Sequence, residues 1–175
     1  MDHPAQTMQP AARRRLYEVF YGLRAGEVMN SDVAGMAFLP PHQPVEELLE
    51  LFLETDHAWV RQAPDSGLKI ESIILRRDIL RALEPTQDSY SRFSTVRFRS
   101  LAHGSADCIC CLYEGRVLHA VTPDATCLQV LRTMDNKGAL YLPVLAEGEL
   151  VGEIGSVDLL RAAHRTHATH GSGAR

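Results

Sequence analysis

The spacing of apolar residues predicts an amphipathic helix near the start of the chain. Within residues 11–23, Leu16, Val19, Phe20 and Leu23 lie at positions i, i+3, i+4 and i+7. This spacing places all four side chains on one face of an α-helix. The pattern predicts a helix that packs that face against the rest of the protein.

Two apolar runs further along the chain predict a β-hairpin followed by a helix. Leu140–Leu145 and Leu150–Ile154 are separated by Glu147-Gly148-Glu149. Gly148 adopts positive φ at low cost, which favours a tight turn. Asp158 then lies at the start of the next helix. Its carboxylate either caps backbone N–H groups of that helix or accepts hydrogen bonds from a bound molecule.

The same order of elements occurs twice along the chain. Apolar positions of one helix recur 82 residues later: Val45, Leu48, Leu49 and Phe52 become Cys127, Val130, Leu131 and Met134. The following strand and helix recur 80 residues later: Ile70, Ile74, Asp78, Ile79 and Leu80 become Leu150, Ile154, Asp158, Leu159 and Leu160. Each copy therefore predicts strand–helix–strand–strand–helix. One copy alone would expose an apolar sheet face, so we expect the two to pack together in an α+β fold.

This repeat divides the chain into five segments. The predicted segments are a tail and helix at 1–24, the first repeat at 25–84, an inserted linker at 85–116, the second repeat at 117–165 and a disordered tail at 166–175. In the first repeat we predict strands at 33–39, 58–60 and 68–75, a helix from Pro44, and a helix from Asp78 to Leu83. In and after the linker we predict a strand at 94–101 and a hairpin over 107–121.

The order of these residues resembles a tandem pair of cystathionine-β-synthase (CBS) domains, known as a Bateman module. The second repeat carries the more specific motifs: Thr122-Pro123-Asp124-Ala125-Thr126, Leu142-Pro143-Val144, Glu147-Gly148, Leu150-Val151-Gly152 and Asp158-Leu159-Leu160. The first repeat keeps Glu27-Val28-Met29, Pro41 and Arg76-Arg77-Asp78-Ile79-Leu80. The resemblance implies two repeats related by pseudo-two-fold symmetry, and association of two such chains into a homodimer.

The resemblance also implies a ligand. Members of this family bind adenosine nucleotides or related molecules in the cleft between the repeats, so AMP, ADP, ATP or S-adenosylmethionine is the expected regulatory ligand, with no required cofactor. The implied ligand-binding residues are Arg76, Arg77, Asp78, Gly155, Ser156 and Asp158. The expected function is a regulatory module that senses such a ligand and signals to an unidentified protein partner.

A second function stays open beside the first. In this family a Ser or Thr that contacts the ribose lies three residues before the Asp, whereas this chain has Leu75 and Gly155 there. Neither residue offers a hydroxyl, although Ser156 is adjacent. The alternative is therefore a structural or dimerisation module that retains the fold and binds no ligand.

Composition and charge exclude several other classes of function. The 175-residue chain is 45% hydrophobic and carries a net charge of −4, which gives no electrostatic reason to expect nucleic-acid binding. No apolar run reaches the roughly 20 residues of a membrane span. The N-terminus does not resemble a secretory signal, and the four cysteines form no spaced framework, so we expect a cytoplasmic protein.

The remaining candidate chemistry is weak. Cys108-Ile109-Cys110-Cys111 has no second ligand pair at zinc-site spacing, and it fits a buried strand. Trp59 either packs in a core or stacks on adenine. We find no catalytic constellation in the sequence, since Gly155-Ser156 lacks the second glycine of a nucleophile elbow. We therefore predict no metal site and no enzymatic activity.

Overall fold

A computed structural model describes residues 10–62, 67–82, 109–113 and 116–171. In chain order the helices are α1 (Pro10–Gly22), α2 (Ala25–Val28), α3 (Leu51–Glu54), α4 (Arg76–Ala82), α5 (Cys110–Tyr113), α6 (Cys127–Lys137) and α7 (Ser156–Gly171). The strands are β1 (Phe38–Leu39), β2 (His57–Arg61), β3 (Ile70–Leu75), β4 (Tyr141–Ala146) and β5 (Glu149–Gly155). The architecture is α+β, as the sequence predicts. No helix within the described ranges is both long enough and apolar enough to cross a bilayer.

The chain folds into two compact units whose limits differ from the repeat limits. The continuous unit is Ala34–Leu118, and the discontinuous unit joins Met1–Val33 to His119–Arg175. The domain boundaries drawn from the repeat stay a prediction, since the units are defined by packing in space. Each unit has its own apolar core, and each contains one antiparallel strand pair, β2–β3 in the continuous unit and β4–β5 in the discontinuous unit.

In the continuous unit a three-stranded sheet carries the core. Strand β2 lies in the middle, parallel to β1 and antiparallel to β3, and His57 pairs with Leu75 at the end of the β2–β3 ladder. The buried side chains come from the first repeat and from the linker: Leu39, Val45, Leu48, Phe52, Ala58, Val60, Ile74, Ile79, Ile109 and Tyr113.

The helix predicted from Pro44 is interrupted. A 3₁₀ turn spans Val45–Leu48, and α3 begins only at Leu51. A 3₁₀ turn has three residues per turn, so Val45 and Leu48 lie above one another while Leu49 rotates away. Leu49 is 41% exposed, so its predicted place on the buried face is wrong. The strand predicted at 33–39 is likewise shorter, because a 3₁₀ turn occupies Val33–Gly35.

The hairpin predicted over 107–121 is wrong in the residues that the structure describes. Cys110–Tyr113 is helical, and residues 116–120 have no regular secondary structure. Helix α5 fits this place because Ile109 and Tyr113, four residues apart, lie on one helical face and are both buried. The strand predicted at 94–101, and Cys108, lie outside the described residues.

In the discontinuous unit the predicted hairpin and its turn are confirmed. Strands β4 and β5 pair antiparallel, and Glu147 and Gly148 connect them with φ of 52° and 86°. Two positive φ values in succession are typical of a type I′ turn, which matches the twist of the paired strands. Val121 adds a short parallel bridge to Val144 on the other side of β4.

Helices flank this hairpin on both sides along the chain. Helix α6 begins with a capping box, in which the Thr126 hydroxyl accepts from the Gln129 N–H at 3.2 Å and Gln129 Oε1 accepts from the Thr126 N–H at 2.8 Å. Helix α7 continues to Gly171, so the expected disorder is wrong for 166–171. Thr166 is buried there, and its hydroxyl bonds to the Ala162 carbonyl at 2.9 Å.

The first residues of the first repeat, and the segment just before the second repeat, each pack with the opposite repeat. The backbone of Asn30, before the first repeat's strands, exchanges two hydrogen bonds with Glu153 on β5, at 2.9 and 3.0 Å. A Cβ on Gly152 would lie 2.8 Å from the Asn30 carbonyl oxygen and 2.6 Å from Met29 Sδ. The segment before the second repeat behaves in the same way, since Ile109 donates its N–H to Gln43 in the continuous unit at 3.0 Å.

Candidate functional site

The first candidate site lies where β3 meets α4 in the continuous unit. The strand ends at Leu75, the helix begins at Arg76, and Asp78 occupies the third helical position. Asp78 Oδ2 accepts the Leu75 N–H at 3.0 Å, which satisfies one of the unpaired donors at the helix start. The Asp78 side chain is only 2% exposed. Its carboxylate therefore stabilises the strand-to-helix turn, as the capping alternative predicts.

Both oxygens of Asp78 are also paired with Arg116. Arg116 Nη1 donates to Oδ2 and Nη2 donates to Oδ1, each at 2.9 Å. Parallel bonds of this kind combine charge with fixed geometry. Burial raises the pKa of Asp78, but the hydrogen bonds from Arg116 and Leu75 and the positive charges of Arg116 and Arg77 outweigh it, so the pKa is lowered. The pair also raises the pKa of Arg116.

Helix α5 and its flanking residues hold Arg116 in place. Ile109 is fully buried, and its N–H bonds to the Gln43 carbonyl. Tyr113 Oη donates to the Pro41 carbonyl at 3.4 Å, and the Arg116 N–H donates to the Tyr113 carbonyl at 2.9 Å. The guanidinium thus extends from a segment anchored to the same unit that contains Asp78.

Arg76 and Arg77, both predicted to contact a ligand, have different surroundings. Arg76 Nε donates to the carbonyls of Phe52 and Thr55 at 2.8 and 3.3 Å, and Nη1 lies 2.9 Å from Asp56 Oδ1. Arg76 therefore satisfies carbonyls at the end of α3. Arg77 is exposed and lies close enough to Asp78 to lower its pKa.

The second candidate site lies where β5 meets α7 in the discontinuous unit. Asp158 is again the third helical residue, and its Oδ2 accepts the Gly155 N–H at 2.9 Å. In the part of the chain that the structure describes, Oδ1 has no hydrogen bond, and the closest cation recorded is Arg161 Nη1 at 3.7 Å. The Asp158 side chain is 16% exposed. Its second oxygen is therefore open to a donor.

Tyr141 accounts for the glycine at position 155. Tyr141 pairs with Gly155 across the β4–β5 ladder. A Cβ on Gly155 would lie 2.8 Å from Tyr141 Cε1 and 3.0 Å from Cδ1. The aromatic ring therefore lies over the position where a side chain would begin. A Ser or Thr at this position would have to displace the ring.

The predicted residues fall into two groups, one in each unit. Arg76, Arg77 and Asp78 share the β3–α4 junction, whereas Gly155, Ser156 and Asp158 share the β5–α7 junction, with Ser156 exposed at the first helical position. Sequence reasoning missed Arg116 and Tyr141. The signal for Arg116 was its position as the single basic residue of the apolar stretch 109–118.

The other candidate chemistry does not add to these sites. Trp59 is fully buried, with the His57 ring edge-on at 5.7 Å, which favours its core role over stacking on adenine. Among the described residues, no group of three or more His, Cys, Asp and Glu side chains is placed to hold a metal ion. Cys127 is a free, buried thiol, whereas Cys110 is disulfide-bonded.

Comparison with known proteins agrees with the resemblance found in the sequence. The family model of the CBS domain matches residues 25–85 and 116–165. No curated protein sequence matches the chain.

Solved structures with the same fold share few identical residues with this chain. The CBS domain of a bacterial CNNM/CorC-family Mg²⁺ transporter has 15% identity and a TM-score of 0.63, covering 89% of this chain and 85% of its own. A putative acetoin utilization protein, AcuB from Vibrio cholerae, has 20% identity and a TM-score of 0.58, covering 87% and 98%. CBSX2 in complex with AMP has 19% identity and a TM-score of 0.61, covering 82% and 98%.

Proposed function

Because the chain belongs to the CBS-domain family, we propose that it is a regulatory module that binds an adenine nucleotide or a related metabolite. The bound state would then be passed to a protein partner. A ligand does this by binding one of two arrangements of the module more tightly than the other. Support comes from CBSX2, a structural neighbour solved in complex with AMP. The proposal assigns the chain no catalytic step.

The observation that carries the proposal is the half-satisfied carboxylate of Asp158. One oxygen holds the Gly155 N–H, and the other has no hydrogen bond within the described residues. A ribose hydroxyl that donates to Oδ1 would form a charge-assisted hydrogen bond, which is stronger than a bond between neutral groups. The exposed hydroxyl of Ser156, two residues earlier, is a second polar group at the same helix start.

Titration calorimetry with AMP, ADP, ATP and S-adenosylmethionine tests this proposal. We expect at least one of these to bind, and Asp158→Asn to weaken binding about tenfold or more through loss of the charged acceptor. Asp135→Asn is the matched control, because it removes the same charge from an exposed carboxylate on helix α6, outside the β5–α7 junction. Absence of binding heat and of any thermal shift with all four compounds would rule the proposal out.

The alternative, a structural module without a ligand, has its own supporting observations. Asp78 is fully paired with Arg116, and the Tyr141 ring covers Gly155, so both repeats lack the family's hydroxyl and one lacks an open carboxylate. Light scattering would show whether the chain forms the homodimer that this function requires. Mass spectrometry of the purified protein under native conditions separates the two functions, because a co-purified nucleotide contradicts the alternative.

A further inference from the structure

We infer that the Arg116 side chain blocks the Asp78 carboxylate, the hydrogen-bond acceptor of the first repeat. Ligand binding is thereby restricted to the carboxylate of Asp158. This inference rests on the proposed function and deepens it by assigning the chain one ligand site in place of two. Arg116 acts here as a specificity-determining residue, because it excludes the hydroxyl donors that the second junction accepts.

The geometry at Asp78 leaves little capacity for a ligand. Its two oxygens accept three hydrogen bonds, from the Leu75 N–H and from both terminal nitrogens of Arg116, all at 2.9–3.0 Å. The carboxylate is 2% exposed, while the Arg116 side chain that covers it is 39% exposed. A neutral hydroxyl that replaced the guanidinium would lose the paired bonds of fixed geometry and leave a buried carboxylate without its counter-charge.

Attachment to the same unit favours Arg116 over any free competitor. Ile109 and Tyr113 are buried in the core of the continuous unit, and Arg116 follows Tyr113 by three residues. A group tethered in this way is present at a high effective concentration beside its partner. A dissolved nucleotide at ordinary concentrations would have to displace this contact as well as bind.

Within the described residues, no arginine is paired with the Asp158 carboxylate in the way that Arg116 is paired with Asp78. Arg161 is three residues along the same helix, 70% exposed, and its Nη1 lies 3.7 Å from Oδ1. This distance exceeds that of a hydrogen bond, and exposed i,i+3 pairs contribute little. The two acidic residues occupy the same helical position, so the difference between the junctions lies in the neighbouring arginine.

The test is AMP titration of five variants, with stoichiometry as the readout. We expect one site in the wild type, one site with a dissociation constant within about twofold in Asp78→Asn, and loss of about tenfold or more in Asp158→Asn. Arg116→Gln should gain a second site, which Arg116→Gln combined with Asp78→Asn should remove. Arg161→Gln is the matched control and should keep one site.

Each outcome separates the inference from the proposed function. If neither the wild type nor Arg116→Gln binds AMP, the titration is repeated with ADP, ATP and S-adenosylmethionine, and absence of binding to all four overturns both. Two sites in the wild type, or one site in a folded Arg116→Gln protein, overturns the inference alone. Binding that appears only in Arg116→Gln supports the first part of the inference, that Arg116 blocks Asp78, and overturns the second part, that the ligand binds at Asp158.

A second measurement covers the case in which Arg116→Gln fails to fold. Carbon-13 NMR of the Asp78 side-chain carboxyl in the wild type follows its protonation directly and requires no ligand. We expect the pKa of Asp78 to lie below its ordinary value. On saturation with AMP we expect no change in the carbon-13 signal of Asp78 and a shift in that of Asp158. An AMP-induced shift at Asp78 with an ordinary titration overturns the inference.

Discussion

The two strand-to-helix junctions have the same backbone hydrogen bond but different second partners. In both, an aspartate at the third helical position accepts the N–H of the residue that ends the strand, Leu75 or Gly155. At Asp78 an arginine from a distant segment takes up the rest of the carboxylate, whereas at Asp158 one oxygen has no hydrogen bond within the described residues.

This difference shows that a repeated aspartate can retain its structural role while its capacity for a ligand changes. The bond to the preceding N–H stabilises the helix start in either case, because that donor has no partner within the helix. Whether a neighbouring side chain pairs with the remaining carboxylate oxygen does not affect this capping role. Both aspartates would therefore contribute to stability even if only one met a ligand.

The largest expected effect tests why position 152 is glycine where the first repeat has Ser72. Gly152→Ala should destabilise the protein by about 3 kcal/mol, because the added methyl group meets the Asn30 carbonyl, part of the backbone. Urea unfolding measures the change. Ser72→Ala is the control, since it only removes a hydroxyl at the equivalent position. Equal stability of the two variants would contradict the close approach of Asn30.

Removing the arginine at each junction should give unequal losses. Arg116→Gln should cost about 2 kcal/mol in urea unfolding, because a buried carboxylate loses its partner, and the exposure of Arg116 keeps the loss below that of a fully buried pair. Arg161→Gln should change stability by less than about 0.5 kcal/mol, as exposed pairs do. Similar losses from both variants would remove the distinction between the junctions.

Introducing the family's hydroxyl at the second junction should meet Tyr141. Gly155→Ser should cost about 1.5 kcal/mol, because its Cβ would approach the ring to 2.8 Å. A double-mutant cycle with Tyr141→Ala measures the coupling, which should recover most of that loss. If Gly155→Ser is equally costly with and without the ring, Tyr141 is not the reason for the glycine.

Acid should weaken the Asp78–Arg116 pair, with an effect confined to low pH. The native pKa of Asp78 lies below its ordinary value of 3.8, so the unfolded chain takes up the proton first as pH falls. Stability from this group is thus complete above about pH 5 and is lost as pH drops through the native pKa. Urea unfolding across pH 2–6 should show this slope in the wild type and a smaller one in Asp78→Asn. An unchanged slope in the variant would assign the acid sensitivity elsewhere.

Local patterns predicted most of the discontinuous unit from the sequence. Gly148 forms its turn between two apolar runs, so this turn does not depend on distant parts of the chain. The repeat then indicated the equivalent strands and helix of the first copy. The predicted burial of Leu49 was wrong because helical periodicity does not distinguish an α-helix from a 3₁₀ turn over so few residues.

The deciding features of the candidate site could not be predicted in this way. Arg116 is 38 residues from Asp78, and no periodicity connects them. Tyr141 and Gly155 meet only once the register of the β4–β5 hairpin is known. The sequence indicated the two aspartates because they recur at equivalent positions of the repeat. Arg116 and Tyr141, which make the two junctions different, do not recur in the other repeat, so no equivalent residue there indicated them.

The packing of Met29 and Asn30 against strand β5 also sets an order of folding during synthesis. The continuous unit is able to fold once Leu118 has emerged from the ribosome, but residues 10–33 must wait for partners that emerge only with His119 and beyond. Until then, Met29 and Asn30 lack the strand against which they pack. The test uses ribosome-bound chains in which Leu118 has emerged but most of the residues after it have not. We expect them to resist protease across the continuous unit while still being cleaved before residue 33. The first segment to be made would thus be among the last to fold.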